Sequence, residues 1–195
     1  MSLAAIRHWV FDMDGTLTVA VHDFAAIREA LEIPPQDDIL THLAGLPADI
    51  AQAKHAWLLE HERDLAIASR AADGAVELVR ELAGRGCRLG ILTRNARELA
   101  HITLAAIGLA DCFAADDVLG RDDALPKPSP DGLLKLAQAW SVNPEDMVMV
   151  GDYRFDLDCG RAAGTKTVLV NLPDNPWPEL ADWHARDCVA LARLI

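Results

Sequence analysis

Two aspartates, Asp12 and Asp14, stand directly behind the apolar run His8-Trp9-Val10-Phe11 and directly ahead of Gly15-Thr16-Leu17. The apolar run reads as a strand, and on a continuing strand positions i and i+2 share a face, so both carboxylates point the same way. Like charges about 4 Å apart repel by about 4 kcal/mol at an effective dielectric near 20. A cation held between the two acids would relieve that repulsion. The same residues also suit an Asx turn that closes a strand, with Gly15 letting the backbone bend sharply.

Three further polar clusters follow later in the chain. Thr93-Arg94-Asn95 comes after the run Cys87 to Leu92, Lys127-Pro128-Ser129-Pro130 lies in a Pro-rich loop, and Gly151-Asp152 through Asp156 follows Met147 to Val150. Three of the four clusters thus fall at the carboxyl ends of expected strands, the edge of an open parallel α/β sheet where ligands bind. In order and type these residues resemble the haloacid dehalogenase superfamily of phosphohydrolases. Its motifs read DxDG[TV], a Thr or Ser ending the second strand, a Lys, and GDxxxD; here they stand as Asp12/Asp14, Thr93, Lys127 and Asp152/Asp156.

The resemblance implies a role for each residue. Asp12 becomes the nucleophile that forms an aspartyl-phosphate, and Asp14 the general acid for the leaving oxygen and then the base for the attacking water. Asp12, the backbone carbonyl of Asp14 and Asp152 hold Mg²⁺, a hard cation that keeps several waters where few protein oxygens are offered. Lys127 holds the phosphoryl oxygens against the surrounding acids; the plainer alternative is a solvated loop lysine. Thr93 supplies a hydroxyl and nearby N–H donors. Asp156 binds through water, orients Lys127, or caps the following helix, and Asn95 contacts phosphate or caps its own helix. Dehalogenases of the family lack the second aspartate of the first motif, so C–Cl cleavage is not expected.

The elements that must position these groups alternate strand and helix. Helices are expected over Gly74 to Ala83, Ala96 to Ile107, Pro130 to Trp140 and Leu157 to Ala163. Strands are expected over Cys87 to Leu92, Cys112 to Ala114, Met147 to Val150 and Thr167 to Val170, with a small last element in Asp187 to Ile195. That order predicts an α/β fold with a doubly wound parallel sheet. Residues 18–72 break the pattern. Phe24, Ile27 and Leu31 follow helical spacing after a possible Asp23 cap, Pro34-Pro35 interrupts, Asp38 to Ala44 ends at Gly45, and Ala48 to Ser69 makes a long helix. Ile50, Ala53, Trp57, Leu58 and Leu65 are expected to form that helix's inner stripe. An all-helical insert at this position resembles the family's small cap, giving a core of residues 1–17 and 73–195. His22, Arg28, Lys54 and His55 lie in the insert. Lys54 admits a Schiff-base reading like that of related phosphonatases, although a solvated helix lysine is the commoner case.

Composition narrows the partners. With 30 acids against 18 Lys and Arg, the net charge of −12 argues against nucleic acid and acidic membranes. No apolar run reaches the ~20 residues of a membrane span, and the stretch before Arg7 is short for a secretory signal, so a cytoplasmic location is expected. Cys87, Cys112, Cys159 and Cys188 are widely spaced and read as reduced thiols. Trp57, Trp140, Trp177 and Trp183 share no spacing and read as packing residues. Within these bounds the resemblance implies a Mg²⁺-dependent phosphatase acting on a small phosphorylated metabolite, most like the phosphoglycolate phosphatase branch. A phosphomutase or phosphonatase would use the same core, and a binding module without turnover would use the same fold.

Overall fold

The computed structural model describes residues 2–20 and 24–195. Its centre is a six-stranded, wholly parallel sheet of order β3-β2-β1-β4-β5-β6, formed by β1 (His8–Phe11), β2 (Arg88–Leu92), β3 (Val118–Leu119), β4 (Met147–Gly151), β5 (Lys166–Val170) and β6 (Trp183–Ala185). The doubly wound α/β fold expected from the alternation is the one observed. The order reverses at β1, which pairs with β2 on one side and β4 on the other. This is the switch point, where the crossovers diverge and leave a crevice beyond the strand ends.

The strands are short apolar runs because both sheet faces are covered. On one face Trp9, Phe11, Ile91, Val150 and Val168 pack against α4 (Ala75–Gly84), α5 (Arg97–Ala106) and α8 (Cys188–Ala192). On the other, Val10, Leu92 and Met149 meet α6 (Asp131–Trp140) and α7 (Arg154–Ala163). Successive residues Trp9, Val10 and Phe11 thus divide between the two cores, as the strand period of two requires.

The edge of the sheet differs from expectation. Residues Ala110–Cys112 form a 3-10 turn, and the edge strand lies later, at Val118–Leu119, in register with Ile91 and Leu92. The cause is Asp117, whose buried carboxylate accepts from Arg88 Nε on β2 at 3.0 Å and from Trp140 Nε1 at 2.7 Å. That network fixes the chain just ahead of Val118, where a buried carboxylate has its donors supplied. β6 was not anticipated; the Asp182 side chain accepts the Thr167 N–H at 2.9 Å and ties the tail back to the sheet. Helix α7 begins at Arg154, three residues ahead of its expected start.

Between β1 and α4 runs the insert, with α1 (Phe24–Ala30), α2 (Ile39–Ala44) and α3 (Ala48–Ile67). Ile27, Leu31, Ile33, Ile39, Leu43 and Leu58 form its own apolar cluster, separate from those of the sheet. Asp38 caps α2 by accepting the Thr41 N–H at 3.0 Å, as the spacing predicts; Asp23 lies outside the described residues. The chain enters and leaves the insert through two adjacent segments: Ala72 donates to the Leu17 carbonyl at 2.9 Å and Val19 to that of Arg70 at 3.0 Å. Of the expected inner stripe of α3, only Leu58 is fully buried. Leu58, Glu62 and Ala66 are buried, whereas Ile50 and Trp57 are 45% and 41% exposed. Apolar residues occupy more than one face of this helix, so periodicity alone does not select the side that packs. Trp57 stacks instead on His61, with ring centroids 5.1 Å apart.

Candidate active site

Beyond the carboxyl ends of β1, β2 and β4, and beneath the insert, lies a cavity of about 590 Å³. Asp12, Asp14, Thr93, Asn95, Lys127, Asp152 and Asp156 all line it. Four segments spread along the chain from Asp12 to Asp156 thus converge on one crevice at the switch point.

Asp12 leaves β1 with its N–H bonded to the Val150 carbonyl at 2.9 Å, so the sheet itself sets its position. Gly15 follows at φ +84°, and an added Cβ there would run into the Asp152 carboxylate. Glycine at this position therefore lets the turn lie against the acid that β4 delivers. Thr16, fully buried, bridges the two strands: its hydroxyl lies 3.2 Å from Asp12 Oδ2 and 3.1 Å from Asp152 Oδ1. The sequence reading missed this residue's part in the site, although its place two residues after Asp14 in the turn was a usable signal.

Lys127 is 4% exposed and its ammonium donates to Asp12 on one side and to Asp156 Oδ1, at 2.7 Å, on the other. It is no solvated loop lysine. Asp156 holds Lys127 with one oxygen, while its second accepts the Tyr153 N–H at 3.1 Å and caps α7. Asn95, by contrast, does not cap α5, whose first turn follows Ala96 without a side-chain cap. Its amide donates to Asp14 Oδ2 at 2.6 Å, while its own N–H bonds to Thr93 Oγ1 at 3.1 Å. A side chain held by a neighbouring acid and pulled toward the cavity is withdrawn from helix capping.

Carboxylates outnumber cations at this end of the cavity. Oxygens of Asp12, Asp152 and Asp156 lie within 4.8 Å of one another. Burial pushes the Asp12 carboxyl upward against the pull of Lys127, and Asp156, Asp152 and Asp14 push the same way. Burial likewise raises Asp152 to about 6, aided by Asp156 and opposed by the Thr16 hydroxyl. Lys127 loses by burial but gains more from Asp12 and Asp156, and its ammonium is held above the ordinary range. Acids whose charged form is disfavoured by crowding and desolvation gain most from a metal cation. Asp156 is taken up by Lys127 and by the Tyr153 N–H at the start of α7, whereas Asp12 and Asp152 stand side by side on the Thr16 hydroxyl and are placed to share such an ion; an oxygen-only donor set suits a hard divalent metal.

The insert closes the far side with charged pairs that the sequence did not single out. Arg94, next to Thr93, lies 2.7 Å from the Asp38 carboxylate and over the Phe155 ring at 5.5 Å. Arg121, after β3, meets Glu62 of α3 through both guanidinium nitrogens at 3.0 and 2.9 Å. Arg28 also lines the cavity. Lys54 does not; it donates to the Leu31 carbonyl and lies 3.5 Å from Glu32. His55 borders a separate shallow groove, and His22 lies outside the described residues.

Comparison with known proteins agrees with this geometry. A model of the haloacid dehalogenase-like hydrolases matches residues 6–164. A haloacid dehalogenase-like hydrolase domain-containing protein of Arabidopsis thaliana is 33% identical over 178 residues, 85% of this chain and 71% of its own length. N-acetylmuramic acid 6-phosphate phosphatase of Pseudomonas aeruginosa is 28% identical over 95% of this chain and 91% of its own. Phosphoglycolate phosphatase of Rhodospirillum rubrum is 32% identical over 83% and 78%. Among solved structures, a hydrolase from Pseudomonas syringae superposes with a TM-score of 0.79 at 25% identity, covering 96% of each chain. The matched segment runs from before β1 to the end of α7 and so contains every acid of the cavity floor: this chain is an enzyme of the haloacid dehalogenase-like hydrolase family.

Proposed function

We propose that the chain is a Mg²⁺-dependent phosphatase that hydrolyses a small phosphorylated metabolite through an aspartyl-phosphate on Asp12. The observation that carries this reading is the floor of the cavity, where Asp12 sits between Lys127 and the Asp152–Thr16 pair with its carboxylate facing the enclosed space. Two relatives are phosphatases of small phosphate esters by name, which supports the same class of substrate. A cytoplasmic enzyme without nucleic-acid or membrane partners belongs to this reading, in keeping with the net charge of −12. No helix among the described residues is long and apolar enough to cross a membrane.

In this mechanism Asp12 attacks phosphorus, the P–O bond to the leaving group breaks, and Asp14 gives its proton to the departing oxygen. Asp14 then takes a proton from a water that attacks the aspartyl-phosphate, releasing inorganic phosphate and restoring both carboxyl groups. Asn95, bonded to Asp14 Oδ2, orients that proton carrier. Lys127 and Thr93 hold the phosphoryl oxygens, and the insert excludes bulk water. Asp12, Asp152 and the Asp14 carbonyl would hold Mg²⁺, which would supply positive charge against the dianionic substrate.

Purified protein assayed against a panel of phosphorylated metabolites, with Mg²⁺ and with excess chelator, tests the reading. We expect turnover of small monoesters that needs the metal. Turnover in full chelator, or a preference for folded phosphoproteins over every small ester, would overturn it.

A further inference from the structure

Asn171 follows β5 and is one of three non-glycine residues with positive φ among those described, at +62°. Asparagine tolerates this region better than most residues, but a non-glycine residue there still signals a constraint worth tracing. Its side chain shows the constraint. The single amide nitrogen donates to two successive carbonyls of the turn after Asp12, those of Gly15 and Thr16, each at 2.8 Å. Its amide oxygen lies 3.8 Å from the buried Cys188 thiol, which in turn lies 3.7 Å from the same Thr16 carbonyl. Asn171 follows a strand two places from β1 in the sheet, and it grips the turn without itself lining the cavity.

The grip has a consequence for the acids. With both carbonyls drawn toward Asn171, the Thr16 hydroxyl stays aimed at Asp12 Oδ2 and Asp152 Oδ1, and Gly15 stays against Asp152. We propose that Asn171 is a positioning residue: it acts through the Gly15–Thr16 turn to hold Asp12, Asp14 and Asp152 in the arrangement that the reaction needs. Its effect on turnover rests on the phosphatase reading above, whereas its effect on the turn does not.

Three variants of the full chain separate the side chain from the backbone. Asn171→Gly adopts positive φ without strain but has no amide to donate. Asn171→Ala lacks both, and Asn171→Asp keeps the shape while setting a carboxylate against two carbonyl oxygens. A loosened catalytic geometry lowers kcat by about 10- to 100-fold with little change in KM. We expect that split in the Gly and Ala variants alike, with the Asp variant at least as impaired. Hydrogen exchange at residues 15–18 should quicken in Asn171→Gly while β1 and β4 exchange as before. Wild-type kcat in Asn171→Gly would reduce the residue to a backbone feature, and unchanged exchange in the turn would remove its grip; either overturns the proposal. If the wild-type chain hydrolyses no phosphate ester but the exchange responds, the phosphatase reading fails and the grip stands.

Discussion

The ammonium of Lys127 lies 2.7 Å from Asp156 Oδ1 and donates on its other side to Asp12, so one buried charge ties the end of β1 to the first turn of α7. Removing it strands two buried acids beside Asp152. Breaking a buried ion pair at one partner costs about 3–5 kcal/mol. Lys127→Ala should therefore lose stability of that order in urea unfolding with chelator present, together with phosphatase activity. An unchanged unfolding midpoint would show that the acids are neutralised by other means.

Asp12 and Asp14 are assigned different work and should fail differently. Asp12→Asn should abolish turnover and covalent labelling by substrate phosphate. Asp14→Asn keeps the nucleophile but withdraws acid and base catalysis, which contributes about 10²- to 10⁴-fold. Its defect should be largest for alkyl phosphates and smallest for activated aryl phosphates. Rapid quench with labelled substrate checks this; an equal slowing of phosphorylation for both classes would remove Asp14 as the proton donor.

Glu62 and Arg121 join α3 to the loop after β3 across the cavity wall, with side chains 9% and 13% exposed. Glu62→Ala leaves the guanidinium without its carboxylate and should cost about 3 kcal/mol. The amides of α3 around Leu58 to Ala66 should then exchange faster than those of the sheet, read by mass spectrometry. Equal protection in α3 would place the insert's closure elsewhere.

Asp38 offers a test by pH. Burial alone would raise its carboxyl, but the hydrogen bonds from Arg94 and the Thr41 N–H outweigh burial and hold it below the ordinary range. A depressed folded-state value stabilises above the unfolded one, near 3.9, and the contribution is lost as pH falls through the folded value. The stability difference between wild type and Asp38→Asn should thus be present at neutral pH and vanish in strong acid. A difference that persists there would show that the charge of Asp38 is not what stabilises.

Much of this was legible in the sequence for a physical reason. Short apolar runs bounded by turn residues must pair in a buried parallel sheet, and polar residues placed at their carboxyl ends have only one edge to share. That logic found Asp12, Thr93, Asp152 and, through its own loop, Lys127. What it could not find depends on packing between distant segments. The side of α3 that turns inward is chosen by Ala66 meeting Ala96 and Leu99 and by Glu62 meeting Arg121, none of which periodicity encodes. The edge strand moved because Asp117 found Arg88 and Trp140. Thr16 and Asn171 each act through a pair of side-chain hydrogen bonds, with partners up to 156 residues away.

The hydrogen bonds that join residues 17–19 to 70–72 place both ends of the insert side by side at the rim of the sheet. An excursion whose exit lies where it entered adds no span that the sheet must accommodate, and closure entropy rises only slowly with its length. We propose on this ground that the insert is a separable lid. Its size and lining can be exchanged over evolutionary time while the machinery beneath keeps its register, and a shortened or transplanted lid should change what is hydrolysed without changing how.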